Sequence, residues 1–320
     1  MMAAMARMRM RDGAKLHYLD VGRGDPVVLL HGFAMHGAMW LPFVMRYAHR
    51  HRFILPDLRG FGRSHELPLV QPVLLDQHAD DLADLVTGLG LGRFTLGGLS
   101  MGACTSLQYQ QRHGFDRVGA YLHIDQAPCV RNLPDWRWGL LGDEQEVRLA
   151  PWADLMEKVA PWRGRSFGAI PRELRRRFWA AMAEFYGSGF HRAGWRHGLR
   201  LTRHERFARL AAPTTNWPVY MDCLHAYLTH EYDWRESMRD IAVPMTAMVG
   251  MESELYPAEG QLRINDFVPH AEIVRFERCG HAVPFDAPVR FTRALGTFLE
   301  ATRALRHADA PVSARQRRAA

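Results

Sequence analysis

At 320 residues, 48% hydrophobic and 23% charged, the chain is long enough to bury a sizeable core and has the composition of a folded globular protein, which excludes a long disordered polymer. Net charge is +7, but residues 306–320 hold four Arg against one Asp, so the body is only mildly basic, and no basic stripe or binding module for nucleic acid accompanies it. No apolar run reaches the roughly 18 residues of a membrane span, no signal-peptide core is present, and Cys104, Cys129, Cys223 and Cys279 lack metal-ligand or disulfide-scaffold spacing. The expectation is a cytoplasmic protein with reduced thiols, no structural metal and no nucleic-acid partner.

Short apolar runs ending in turn residues alternate with stretches of helical period, the pattern of an α/β protein with a mostly parallel sheet. Residues 25–33, DPVVLLHGF, read as a buried strand running into a glycine turn. Residues 51–64, HRFILPDLRGFGRS, read as a second strand closed by a loop with Gly60 and Gly62. In residues 76–90, Ala79, Leu82, Leu85 and Val86 recur at three- and four-residue spacing, which predicts an amphipathic helix stopped by glycine. Residues 92–114 read as strand, abrupt turn and helix, and residues 117–128 as a strand ending at Asp125 before Pro128. From about 129 to 238 strands give way to helical segments carrying eight of the nine tryptophans, so a helical insertion is expected there. Strands resume at VPMTAMVG and AEIVRFERCGHAV, and a last helix is predicted over 287–305. The domain reading is a core of 1–128 and 239–305, a cap of 129–238, and a disordered basic tail of 306–320.

The stretch Gly98-Leu99-Ser100-Met101-Gly102 joins a predicted strand to a predicted helix. A G-x-S-x-G turn at such a junction holds its serine in a strained backbone at the N-terminus of a helix, whose dipole favours a developing anion. The alternative is an N-cap serine with packing glycines.

With HGF at 31–33, DLRGFGRS at 57–64 and GHAVPFDAP at 280–288 in the same order, the chain resembles the α/β-hydrolase superfamily, in its serine-nucleophile branch with a helical cap. The resemblance implies a cofactor-independent esterase- or lipase-like serine hydrolase. Ser100 would be the nucleophile, His281 the general base, and the backbone N–H groups of Phe33 and Met101 the oxyanion hole. Asp286 reads as the cap of the helix that follows it.

In the superfamily the third member, an acid, commonly sits three residues after the glycine that here is Gly250, and that position is Ser253. Three carboxylates are left as candidates. Glu252 and Glu254 flank the usual site, while Asp125 ends the neighbouring strand and keeps the order Ser, acid, His. Asp125 is the preferred acid; its alternative reading is a turn residue bonding its own backbone.

The expected substrate is a small hydrophobic acyl compound; most tryptophans of the insertion read as packing of its own core, with one or two as candidate pocket walls. The arginines crowding the insertion read as solvated helix faces, or as a contact for an anionic lipid or an acyl carrier. A thioesterase or acyltransferase, and a catalytically weak ligand-binding protein, are the alternatives.

Overall fold

A computed structural model describes residues 4–205, 207 and 217–308. Most of the predicted basic tail, residues 309–320, lies outside the described residues, as does the side chain of Trp195. Eight strands form one sheet: β1 (Ala4–Arg9), β2 (Lys15–Gly22), β3 (Asp25–Leu30), β4 (His51–Pro56), β5 (Phe94–Leu99), β6 (Val118–Ile124), β7 (Met245–Gly250) and β8 (Glu272–Phe276). Their order is β1-β2-β4-β3-β5-β6-β7-β8. β3 to β8 run parallel, whereas β1 and β2 form an antiparallel hairpin laid on the edge at β4.

The parallel strands are apolar on both faces because helices cover both. Val28, Leu30, Leu96 and Tyr121 face one core, covered by α1 (Leu74–Gly88) and α2 (Met101–His113). Val27, Leu29, Leu122 and Ile124 face the other, where Trp40 packs with Phe291 and Leu295 of α7 (Pro288–Ala308). β1 is a short edge strand whose alternation is half-buried: Ala6 and Met8 pack against one core while Arg7 and Arg9 are exposed.

Between β6 and β7 the chain inserts α3 (Gln145–Val159), α4 (Arg172–Ser188), α5 (Ala193–Leu199) and α6 (Trp217–Thr229). The insertion leaves and rejoins the sheet layer at one point, where Val130 N–H donates to Tyr232 O (3.0 Å) and Trp234 N–H to Pro128 O (3.0 Å). Chain direction across the sheet reverses between β3 and β5, since β4 lies on one side of β3 and β5 on the other. In open α/β sheets the carboxyl ends of strands at such a reversal form the natural ligand crevice. Here those ends are His31-Gly32-Phe33 and Ser100.

Candidate active site

Ser100 follows β5 and precedes α2 with φ 53° and ψ −117°, a backbone conformation sparsely populated by residues other than glycine. The surrounding glycines allow it. A Cβ on Gly98 would lie 2.3 Å from the Gly102 backbone, and one on Gly102 would lie 2.4 Å from Leu30 O, so strand, helix and β3 meet too closely for any side chain. Ser100 N–H donates to Ile124 O (3.0 Å), fastening the turn to the end of β6.

Asp125 is the next residue along β6 and also has positive φ, 44°. Its fully buried carboxylate accepts three hydrogen bonds. His281 Nδ1 donates to Oδ1 (2.8 Å), Ser253 Oγ donates to the same oxygen (2.8 Å), and Gly250 N–H donates to Oδ2 (2.6 Å). A Cβ on Gly250 would meet Gly280 O at 2.2 Å and Asp125 Oδ2 at 2.9 Å, so the end of β7 must be glycine for acid and histidine loops to close on each other. Ser253, which takes the position the family commonly gives to the acid, therefore supports a carboxylate on the neighbouring strand. Glu252 and Glu254 are exposed, and Glu254 pairs with Arg196 of the insertion (2.6 Å). Of the three candidate carboxylates, the one against the imidazole is Asp125.

Ser100, His281, Gly32 and Phe33 line one cavity, with no direct hydrogen bond between the Ser100 hydroxyl and the imidazole. Met101 opens α2 immediately after Ser100, so its N–H is among the unpaired first-turn donors of that helix. The turn carrying Phe33 is held by His31, a fully buried ring. Its Nδ1–H donates to Gly32 O (2.8 Å), and its Nε2 accepts from Leu58 N–H (3.0 Å). Burial pushes the His31 pKa down to about 4, so the neutral tautomer that makes both bonds is the one present near neutrality.

The cavity is small, about 40 Å³, because Phe185 and Tyr186 at the end of α4 and Phe190 just past it close over it. The sequence reads most tryptophans of the insertion as packing its own core, with one or two as pocket walls. Among the described residues none lines this cavity, since Trp179, Trp217 and Trp234 are buried in the packing of the insertion and its seat. The insertion's arginines divide. Arg196 is paired with Glu254, and Arg177 with Asp154 at 2.5 Å, while Arg200 and Arg203 join Arg148 and Arg196 around a separate cavity of about 660 Å³. Among the described residues no group of three or more His, Cys, Asp or Glu side chains is arranged to hold a metal ion, and no helix is long and apolar enough to cross a membrane.

Asp286 is not the cap of the following helix. Its carboxylate turns back, accepting from Gly280 N–H (2.8 Å), beside His281, and from His191 N–H (2.8 Å) and Arg192 N–H (3.4 Å) of the insertion. Ala282 N–H donates to Gly189 O (2.7 Å) alongside. The loop of His281 and the segment closing the cavity are thus one hydrogen-bonded unit. Asp286→Ala leaves the buried Gly280 N–H without an acceptor and frees the half-buried N–H groups of His191 and Arg192, and is expected to lower stability by about 1–3 kcal/mol in urea unfolding. An unchanged unfolding midpoint would contradict that role.

The whole arrangement has counterparts among known proteins. The family model described as alpha/beta hydrolase fold matches residues 25–288. The chain belongs to the alpha/beta hydrolase fold family. Its relatives within that family are distant. A non-heme chloroperoxidase of Kitasatospora aureofaciens is 28% identical, over 90% of this chain and 97% of its own length. A 2-hydroxy-6-oxo-2,4-heptadienoate hydrolase of Pseudomonas putida is 28% identical over 93% and 98%. A pimeloyl-[acyl-carrier protein] methyl ester esterase of Nitrosomonas europaea is 23% identical over 87% and 97%. Among solved structures, an esterase from Exiguobacterium antarcticum superposes with a TM-score of 0.71 at 21% identity, covering 93% of this chain and all of that one, which speaks to the fold. Relatives in this alpha/beta hydrolase family are thus esterases, hydrolases and chloroperoxidases at low identity.

Proposed function

We propose that the protein is a cofactor-independent serine hydrolase that cleaves a carboxylic ester of a hydrophobic substrate through an acyl-enzyme. The observation that carries this reading is the 2.8 Å bond from His281 Nδ1 to Asp125, with the imidazole and Ser100 lining one cavity. Asp125 fixes the proton on Nδ1 and leaves Nε2 free to accept. As Ser100 Oγ attacks the carbonyl carbon, Nε2 takes the hydroxyl proton. The N–H groups of Phe33 and Met101 hold the resulting oxyanion. Collapse breaks the ester C–O bond, and the imidazolium hands its proton to the departing alcohol. Water, deprotonated by the same nitrogen, then attacks the acyl-enzyme and restores Ser100.

A fluorophosphonate tests the reading directly, since serine attack at phosphorus displaces fluoride and leaves a stable adduct. Stoichiometric mass labelling at Ser100, together with hydrolysis of p-nitrophenyl butyrate above the Ser100→Ala background, is the expected result. A folded protein that neither labels nor turns over ester supports the ligand-binding alternative instead.

One observation favours a second reading, an acyl-thioester or acyl-carrier substrate used for hydrolysis or acyl transfer. Arg200 and Arg203 line the cavity on the other side of α4 from Ser100, beside Arg148 and Arg196, which pair with Glu184 and Glu254 there, and guanidinium groups suit phosphate. The Nitrosomonas relative is named for a substrate on an acyl-carrier protein. On this reading kcat/KM for an acyl-coenzyme A falls with salt and with Arg200→Ala plus Arg203→Ala, whereas a neutral ester is unaffected.

A further inference from the structure

A reaction cavity of about 40 Å³ cannot hold an ester with both its arms, since small-molecule sites run to several hundred Å³. The remaining volume has to lie next door. Two larger cavities, about 870 and 660 Å³, share no lining residue with the reaction cavity, and a cavity that meets it across Phe185 is only about 20 Å³. A groove of about 420 Å³ beside the turn of Phe33 does adjoin it, and Met35 lines both.

We infer that this groove is the binding pocket for one apolar arm of the substrate, with Met35 as the partition between it and the reacting carbonyl. The inference rests on the hydrolase reading and adds where the substrate goes. Tyr18, Leu19, Ala34, Leu41 and Tyr220 make its wall largely apolar. The one buried carboxylate there, Asp57, is already occupied by Gly37 N–H (2.6 Å) and Arg63 N–H (2.9 Å), so no charge is offered to a ligand by that group. The apolar walls match an alkyl chain, with His17, His36 and the exposed Arg63 among the remaining lining residues.

Met35 is suited to the boundary. Its thioether lies over Gly32, such that a Cβ there would sit 3.3 Å from Sδ. Ala34, with φ 55°, and the bond from Met35 N–H to Gly32 O (3.2 Å) fix the backbone of this turn. The side chain itself is unbranched, with three rotatable bonds, and it can swing without moving the N–H of Phe33. Displacing it joins the groove to the carbonyl site.

The experiment compares wild type, Met35→Ala and Leu41→Trp on two ester series. One lengthens the acyl chain (p-nitrophenyl acetate to decanoate) and the other the alcohol (ethyl to octyl acetate). In wild type kcat/KM is expected to rise by up to roughly fourfold per methylene along one series, which identifies the arm that enters the groove. Met35→Ala raises the long-to-short ratio in that series, and Leu41→Trp, which fills the groove, lowers it at least tenfold. Leu19→Trp, at another lining position, replaces Leu41→Trp should that variant misfold. Ratios that stay at the wild-type value in every variant, with short esters still cleaved, overturn the inference and leave the hydrolase reading intact. If no ester is turned over, the hydrolase reading fails, and thermal stabilisation by 2-decanone becomes the readout of the groove. Stabilisation of wild type that is lost in Leu41→Trp upholds the pocket, and equal stabilisation or none in both overturns it.

Discussion

Asp125→Asn is expected to lower kcat/KM for p-nitrophenyl butyrate by roughly 10³- to 10⁴-fold while the protein stays folded. The substitution is nearly isosteric, and an amide oxygen can still accept from Gly250 N–H. What changes is the imidazole. An amide NH₂ pointed at Nδ1 selects the tautomer with its proton on Nε2, the nitrogen that must be bare to take the Ser100 proton. The imidazolium formed during attack also loses its counter-charge. Near-wild-type activity from folded Asp125→Asn contradicts this assignment, and Glu252→Gln and Glu254→Gln are then the variants to measure.

Ser253 offers a sharper test. Its hydroxyl donates to the same Asp125 oxygen that accepts the hydrogen bond from His281 Nδ1–H, at 2.8 Å in both cases. A carboxylate carried on residue 253 therefore reaches the neighbourhood of Nδ1 from the next strand. Asp125→Asn combined with Ser253→Asp is expected to recover at least about tenfold of the lost rate, with the amide introduced on β6 now donating to the carboxylate introduced after β7. A double variant no faster than Asp125→Asn alone means that the β6 and β7 positions are not interchangeable here.

How much of this was legible depended on whether the reason for a residue lay near it in the chain. The turn at Ser100 is visible because Gly98 and Gly102, which permit it, flank it within two residues. The carboxylate at Asp125 requires only strand order, because β6 between β5 and β7 brings the end of one strand beside the glycine of the next. Asp286 misleads because two of the groups it serves, the N–H groups of His191 and Arg192, lie 95 and 94 residues away in the insertion, which no local pattern reports. The closure by Phe185, Tyr186 and Phe190 is hidden for a similar reason. On a helix of that period Phe185 and Tyr186 look like part of any apolar stripe, and Phe190 follows the helix end, beside tryptophans that are larger and more numerous. β1 escapes because its buried face is only Ala6 and Met8, half-buried between the exposed Arg7 and Arg9, too short and too small an alternation to stand out as a strand.

Acid is expected to unfold the protein between about pH 6 and pH 4, and three buried histidines are the cause. Burial pushes His31 and His123 down to about 4 and His78 down to about 3. Their partners hold each ring neutral. His31 Nε2 faces the Leu58 N–H (3.0 Å), so a second ring proton would meet a donor. His123 Nε2–H donates to Gln126 O (2.7 Å) while Nδ1 accepts from the Tyr121 hydroxyl (2.8 Å). His78 Nε2–H donates to Arg59 O (2.9 Å), and protonating its partnerless Nδ1 would bury a bare N–H near a guanidinium. In the unfolded chain all three titrate near 6.5. Between that value and the folded ones, the unfolded state binds more protons, so stability is complete above about 6.5 and is lost as pH falls. The loss reaches the order of 3 kcal/mol for each histidine by pH 4, against a total of about 5–15 kcal/mol for an ordinary domain. Thermal unfolding followed from pH 7.5 to 4.5 should show a steep fall in Tm, and His78→Gln should flatten that slope while lowering Tm at pH 7.5. A Tm that is level across the range would mean that these rings take up protons without opening the fold. Because His31 holds the turn that carries Phe33, activity is expected to decline in the same window.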